Sequence, residues 1–385
     1  MSAPLTGIRV LELARILAGP WAGQVLADLG ADVIKVESPE GDETRRWGPP
    51  FVRYADGGQD AAYFHSCNRG KRSVVADFRT PEGRKRVLDL CAGADVVIVN
   101  FKRGDLARHG LDGATLRASH PRLVWCSITG FGQTGPYADR PGYDFIVQGM
   151  GGIMDLTGEP DGPPQKPGVA YADLFTGLYA VIAIQSALAA RARSGEGAFI
   201  DMSLFDTQVA VLANQSMNFL ASGRAPTRMG NAHPNLVPYQ TFRVADGEVV
   251  IAVGSDAQFR SLCVVLGLHD LAVAPEAATN AVRVEHRSAL VSRLQAPLAA
   301  WRRDALLDAL LAVGVPAGPI NSVAEVFADA QVAARRMVYR VHSRDGEALP
   351  AVRAPLTMTG LPEPSTRAAP RLGEHQHESW SQNDA

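Results

Sequence analysis

The sequence has no excess of charge of either sign. Its 38 Lys+Arg stand against 40 Asp+Glu, a formal net charge of −2 over 385 residues. A dedicated nucleic-acid surface would be basic, so no nucleic-acid partner is expected. Cysteine is scarce: Cys67, Cys91, Cys126 and Cys263 are widely scattered, without a C-x-x-C pair. This argues against a disulfide framework and reads as buried free thiols in a reducing compartment. The sequence has no H-E-x-x-H, no P-loop and no G-x-S-x-G, and its 9 histidines lack ligand spacing, so no metal site is expected. Met1–Pro4 carries no basic segment leading to a cleavage site. The longest apolar stretch, Leu174–Ala190, is broken by Thr176, Gln185 and Ser186 and is barely long enough for a bilayer. It reads as a buried core helix, with no membrane partner and the cytoplasm as the expected compartment.

What is present is an alternation of strands and helices. Gly7–Leu13, Ala31–Glu37, Arg72–Phe78, Asp95–Phe101 and Leu123–Thr129 read as strands. Pro20–Leu29 and a segment opening at Thr80-Pro81-Glu82 read as helices, with Thr80 as N-cap and Pro81 at the first position. Near-continuous apolar strands alternating with helices predict an open, doubly wound parallel sheet. Past Gly151 the pattern changes. Asp173–Arg191 and Asp201–Ala221 read as long helices and Gly223–Pro238 as a linker. Tyr239–Val244 and Glu248–Gly254 flank Asp246-Gly247 as a hairpin, and helices follow over 256–312. The expected division is a large domain over 1–222, a small α+β domain with its linker over 223–325, and an extended, proline-rich strap over 326–385. The last ten or so residues read as unstructured.

Gly130-Phe131-Gly132-Gln133-Thr134-Gly135 matches G-x-G-x-x-G after a strand, but Pro136 and Pro141 prevent the long helix that a dinucleotide site requires. It reads as a glycine-rich turn. Asp173 opens a long apolar helix, where it is either an N-cap or a nucleophile beside free N–H groups; Gly177 would leave room above it. Asp144 is a second acid near a strand end. Arg45, Arg46, Arg69, Lys71, Arg72, Arg79, Lys102, Arg103 and Arg108 together could hold a phosphate-bearing anion at the sheet's carboxyl edge. The glycines of Gly149–Met154 could line an acyl pocket or pack against a core helix.

An ordered set of segments resembles the family III coenzyme A transferases, which include formyl-CoA transferase and are related to α-methylacyl-CoA racemase. The set comprises Arg15–Pro20, Leu26–Glu37, Asn68–Ser73, Asp95–Phe101, Gly130–Pro136, Pro141–Asp144, Ala172-Asp173 with Gly177, Gly230–Pro234 and Leu372–His375. It runs collinearly from about residue 5 to 378. The resemblance implies a Rossmann-like large domain, a small inserted domain, a returning strap and an interlocked, ring-like homodimer. It implies CoA transfer from an acyl-CoA donor, such as succinyl-CoA, to a carboxylic acid through an aspartyl intermediate on Asp173, with Asp144 in support. Acyl-CoA is the substrate and no tightly bound cofactor is implied. Its CoA contacts carry over to Ala76, Asp77, Phe78, Arg79, Asn100, Phe101, Lys102, Arg108, Pro141, Gly142, Tyr143 and Asp144. Formyl-CoA transferase places a polar amide where Leu17 stands and an arginine where Ser38 stands, so larger acyl groups are expected here. A racemase would need a histidine at Tyr143 and a glutamate at Asp256. A tyrosine is a poor base near neutral pH, and Asp256 is shorter than the glutamate. The alternatives are a racemase-type isomerase and a non-catalytic acyl-CoA-binding protein.

Overall fold

The computed structural model describes residues 3–380. The chain forms two compact units. The larger comprises residues 1–153, 166–223 and 330–385, and the smaller 154–165 and 224–329. The sequence division places 154–165 with the large domain. In the structure this segment joins the smaller unit, where Gly230 donates its N–H to the Gly158 carbonyl and Arg228 pairs with Asp155.

The larger unit is built on six parallel strands: β1 (Arg9–Glu12), β2 (Asp32–Glu37), β3 (Arg72–Val75), β4 (Val96–Val99), β5 (Val124–Thr129) and β6 (Phe199–Ser203). Their order is β3-β2-β1-β4-β5-β6, the Rossmann order, with its reversal between β1 and β4. Because side chains alternate along a strand, each strand feeds two cores. Val10, Val33, Val96, Ile98, Val124, Cys126 and Ile128 pack on one face with helices α1 (Ala18–Asp28) and α4 (Tyr171–Ser194). Leu11, Ile34, Val97, Val99 and Trp125 pack on the other with α2 (Pro81–Ala92). Apolar side chains on both faces are what the continuous apolar strands predict. Thr80 caps α2 as expected, accepting the Gly83 N–H at 3.1 Å.

Three expectations need correction. Asp201–Ala221 is not one helix. Phe199–Ser203 pairs in register with β5, and Ser203 then caps the short helix α5 (Leu204–Ala210); Ala213, at φ +47, separates it from α6 (Asn214–Ser222). The strap holds a hairpin, β10 (Val338–His342) with β11 (Ala348–Val352), and is not wholly extended. The last residues are not all free: Gln376 bonds both backbone groups of Val75, and the Trp380 indole N–H reaches the Leu90 carbonyl. The Gln376 amide thus stands in for a neighbouring strand on the β3 edge, which would otherwise offer open pairing groups. Residues 381–385 lie outside those described.

Helix α4 is only partly the buried core helix expected. Among the described residues it is the one helix long and apolar enough to cross a membrane. One face packs on α1 and the sheet, while Leu178, Tyr179 and Ile182 on the other face are exposed. The smaller unit carries an antiparallel sheet, β7 (Tyr239–Val244), β8 (Gly247–Ala252) and β9 (Ala317–Pro319), with the expected hairpin between β7 and β8. Phe242, Val249, Ile251 and Val253 pack there against α7 (Asp256–Val265) and the helices that follow.

Candidate active site

Where the order of an open α/β sheet reverses, the two neighbouring loops diverge and leave a crevice at the strands' carboxyl ends. Here a cavity of about 310 Å³ opens at that point. The segment after β1 (Arg15–Ala18), the segment after β4 (Asn100–Arg103), the end of β5 (Thr129-Gly130) and Arg140–Asp144 line it, together with Asp173. Reciprocal bonds tie the first two walls: Arg15 N–H to Asn100 Oδ1 at 2.9 Å, and Asn100 Nδ2 to the Arg15 carbonyl at 2.7 Å.

Asp173 is the third residue of α4, behind an N-cap position held by Ala170. It is therefore not the N-cap, although it lies in the first turn, where free N–H groups concentrate positive potential. Burial pushes its carboxyl up to about 7, and the like charge of Asp144 adds to the shift. Asp144, the first residue of α3 (Asp144–Met150), accepts the Asp173 backbone N–H on Oδ1 at 3.2 Å and the Gln148 side-chain amide on Oδ2 at 2.6 Å. Asp144 thus orients the start of α4 and opposes ionisation of Asp173.

The glycines around the cavity serve close approach. A Cβ on Gly130 would lie 2.5 Å from the Gly142 Cα, so the two backbones meet only because both residues are glycine. The G-x-G-x-x-G match is thus a turn beside the cavity, with no helix before Asp144. Gly177 does not make room over Asp173. A Cβ there would lie 2.7 Å from the Ala18 carbonyl oxygen, so Gly177 lets α4 seat on α1. Gly151 likewise packs against Gln208 of α5.

The cavity gathers Asn100, Phe101, Lys102, Pro141, Gly142, Tyr143, Asp144 and Asp173. Ala76 and Asp77 instead line a separate groove with Thr80 and Gln376. Arg79 pairs with Asp77 at 2.8 Å and Arg108 with Asp105 at 3.5 Å. Phe78 connects the two regions, edge-on to Phe101 and His109. The nine-cation reading is corrected by burial, because a buried charge must be paired. Arg45 pairs with Glu37 and Asp60, Arg69 with Asp28, Lys71 with Glu12, and Arg72 with Asp32. Of the nine, only Lys102 and Arg103 line the cavity.

The cavity is also lined by Arg15 and Arg140, which the sequence did not mark as site residues. Arg15 pairs with Glu43 at 2.6 Å, and its guanidinium lies 5.5 Å from the Phe101 ring. Its place directly after β1, at the strand-order reversal, is the signal that would have found it. Tyr63 packs edge-on to Trp47. Burial pushes its hydroxyl up to about 12, with Asp173, Cys67 and Asp144 adding to the shift. In the smaller unit, Asp256 is held by the buried Arg283 at 2.7 Å.

A parallel sheet of this order, with a cavity at its reversal, defines the Rossmann-like α/β class of folds, which take their ligands at that point. The chain belongs to CoA-transferase family III, whose model matches residues 5–376. It is 58% identical over 375 residues to the succinate–glutarate CoA-transferase of Agrobacterium fabrum, covering 97% of this chain and 94% of that one. It is 40% identical over 377 residues to the succinyl-CoA:glutarate CoA-transferase of Homo sapiens, covering 97% and 84%. Among solved structures, a CAIB/BAIF family protein from Brucella suis superposes with a TM-score of 0.86 at 59% identity, covering 97% of this chain and 98% of that one.

Proposed function

We propose that this CoA-transferase moves CoA from succinyl-CoA to a dicarboxylic acid of the glutarate class, with Asp173 as the covalent nucleophile. The observation that carries this reading is Asp173 itself: a half-buried carboxylate in the first turn of α4, on the wall of the cavity at the sheet's switch point. The donor and acceptor follow the names of the relatives.

An ionised Asp173 oxygen attacks the thioester carbonyl, CoA thiolate leaves, and a mixed anhydride forms. The thiolate attacks the aspartyl carbonyl of that anhydride, releasing succinate and leaving an aspartyl-CoA thioester. The acceptor carboxylate attacks this thioester and again expels the thiolate. The thiolate then attacks the acceptor's carbonyl in the second anhydride, giving acceptor-CoA and free Asp173. No net proton or water is consumed, so the site must exclude water and supply charge stabilisation to each tetrahedral oxyanion. Lys102, Arg103, Arg15 and Arg140 provide the cationic surroundings for the phosphates and carboxylates of the substrates.

We assign the protein an interlocked homodimer and a cytoplasmic location, with no membrane partner and no resident cofactor. The exposed apolar face of α4 supports the dimer, and four buried free thiols support a reducing compartment. Succinyl-CoA with hydroxylamine tests the nucleophile: mass spectrometry should find a hydroxamate on Asp173. Asp173→Ala should lower transfer by more than about 10³-fold while CoA binding persists. An unmodified Asp173, or turnover by the alanine variant within tenfold of wild type (about 1.4 kcal/mol), would refute the covalent route.

A further inference from the structure

Ile16 has φ +72, a backbone conformation that a β-branched residue adopts only under constraint. It lies on the cavity wall between Arg15, tied to Asn100, and Leu17, which precedes α1. Its carbonyl accepts from the Cys67 thiol at 3.8 Å, and its N–H meets the buried Asp42. Both oxygens of its carboxylate accept the Ile16 N–H, at 3.3 and 3.2 Å. We propose that Asp42 is a positioning residue for CoA transfer: its carboxylate holds Ile16 in the left-handed conformation and so sets the Arg15–Ala18 wall of the cavity that Asp173 also lines.

Asp42 is well fixed for this role. Its Oδ1 accepts the Thr44 N–H and hydroxyl at 3.0 and 2.8 Å, and its own N–H bonds Glu37 at 3.0 Å. Lys35, fully buried, sits 2.9 Å from Asp42 and 3.1 Å from Glu12, and donates to the Ala14 carbonyl at 2.8 Å. One ammonium therefore joins the end of β1, the loop that follows it and the segment that carries Asp42. Burial works against the Asp42 charge, but Lys35 and the Thr44 bonds outweigh it and hold the carboxyl at about 2, so the clamp stays ionised across the working range. Misplacing a wall of a reaction site by about 1 Å can lower the rate about 10²-fold without any contact to the reacting atoms.

The inference rests on the cavity being the reaction site. Its test is a double-mutant cycle between Asp42→Ala and Ile16→Gly, with kcat, KM for succinyl-CoA and the crystallographic φ of residue 16 as readouts. Glycine enters the left-handed region without the Cβ penalty. Asp42→Ala should move Ile16 out of that region and lower kcat by about 10- to 100-fold with a smaller change in KM. In the Ile16→Gly background the same change should lower kcat at least about fivefold less. If Asp42→Ala does not fold because Lys35 loses a partner, Lys35→Met/Asp42→Ala is compared with Lys35→Met alone, since Lys35 also holds the Ala14 carbonyl, and only the double variant should show the φ change and kcat loss. Retained φ at residue 16 in Asp42→Ala, unchanged kcat, or a loss equal in both backgrounds would each overturn the proposal. Were Asp173→Ala to keep activity, the reaction-site reading would fail, while the φ of residue 16 would still decide whether Asp42 sets this loop.

Discussion

Asp144 and Asp173 bind one another through one hydrogen bond and oppose one another through like charge. Asp144 fixes the Asp173 backbone through its N–H and also opposes the charge that Asp173 needs. Attack requires the carboxylate, and burial with Asp144's like charge pushes Asp173 up to about 7. The rate of transfer should therefore fall as pH drops through about 7. Asp144→Asn keeps an oxygen for the Asp173 N–H and removes the like charge, so the acidic limb of kcat/KM should move to lower pH. An unmoved limb would show that burial alone sets the titration. The sign for stability is the reverse of the usual carboxylate case. Because the folded-state pKa lies above the ordinary 3.8, the native state loses stability as pH rises from there to about 7. Asp173→Asn should remove that slope, which urea unfolding at several pH values would measure.

At the scale of elements, the contact of α4 with α1 links the nucleophile's helix to the cavity's first wall. Gly177→Ala would force a methyl to within 2.7 Å of the Ala18 carbonyl oxygen and 3.1 Å of the Trp21 ring. Backbone cannot give way as a flexible side chain can. The substitution should therefore destabilise the fold by about 1–3 kcal/mol, read as a lower urea midpoint at unchanged slope, and should lower kcat by shifting Asp173. A fully stable, fully active variant would mean that the helices can separate freely. The sequence made most of these elements legible, because strands covered on both faces are apolar at every position, as at Val96–Val99. It failed at Phe199–Ser203, an edge strand with alternating exposure whose identity comes from pairing with β5. Asp173, Asp144 and Asn100 were legible through their chain-ordered motifs. The Asp42 clamp was not, because which buried carboxylate meets which buried lysine is decided by tertiary packing.

For the whole molecule, near-zero net charge conceals a buried ionic interior: Lys35, Lys71 and Arg45 are neutralised by Glu12, Asp42 and Glu37, leaving few free cations at the cavity. The chain leaves the larger unit after Gly223 and re-enters it from Ala330, and Gly373–Gln376 bond β3 through Ser73 and Val75. This closes the larger unit with residues from both ends of the sequence. Leu178, Tyr179 and Ile182 on α4 and Met217 and Leu220 on α6 are exposed apolar side chains, which the proposed homodimer would cover. If two such chains are threaded through one another, as proposed, they cannot part by simple dissociation, since one chain must open its own returning segment first. Two differently tagged preparations, mixed in native buffer, should therefore form no hybrid dimers over days by native mass spectrometry. The same mixture should yield hybrids after unfolding in guanidinium and refolding. An ordinary face-to-face dimer would exchange at its dissociation rate without denaturant. Hybrids appearing within hours under native conditions would exclude threading while leaving the dimer, and a monomeric mass would exclude both.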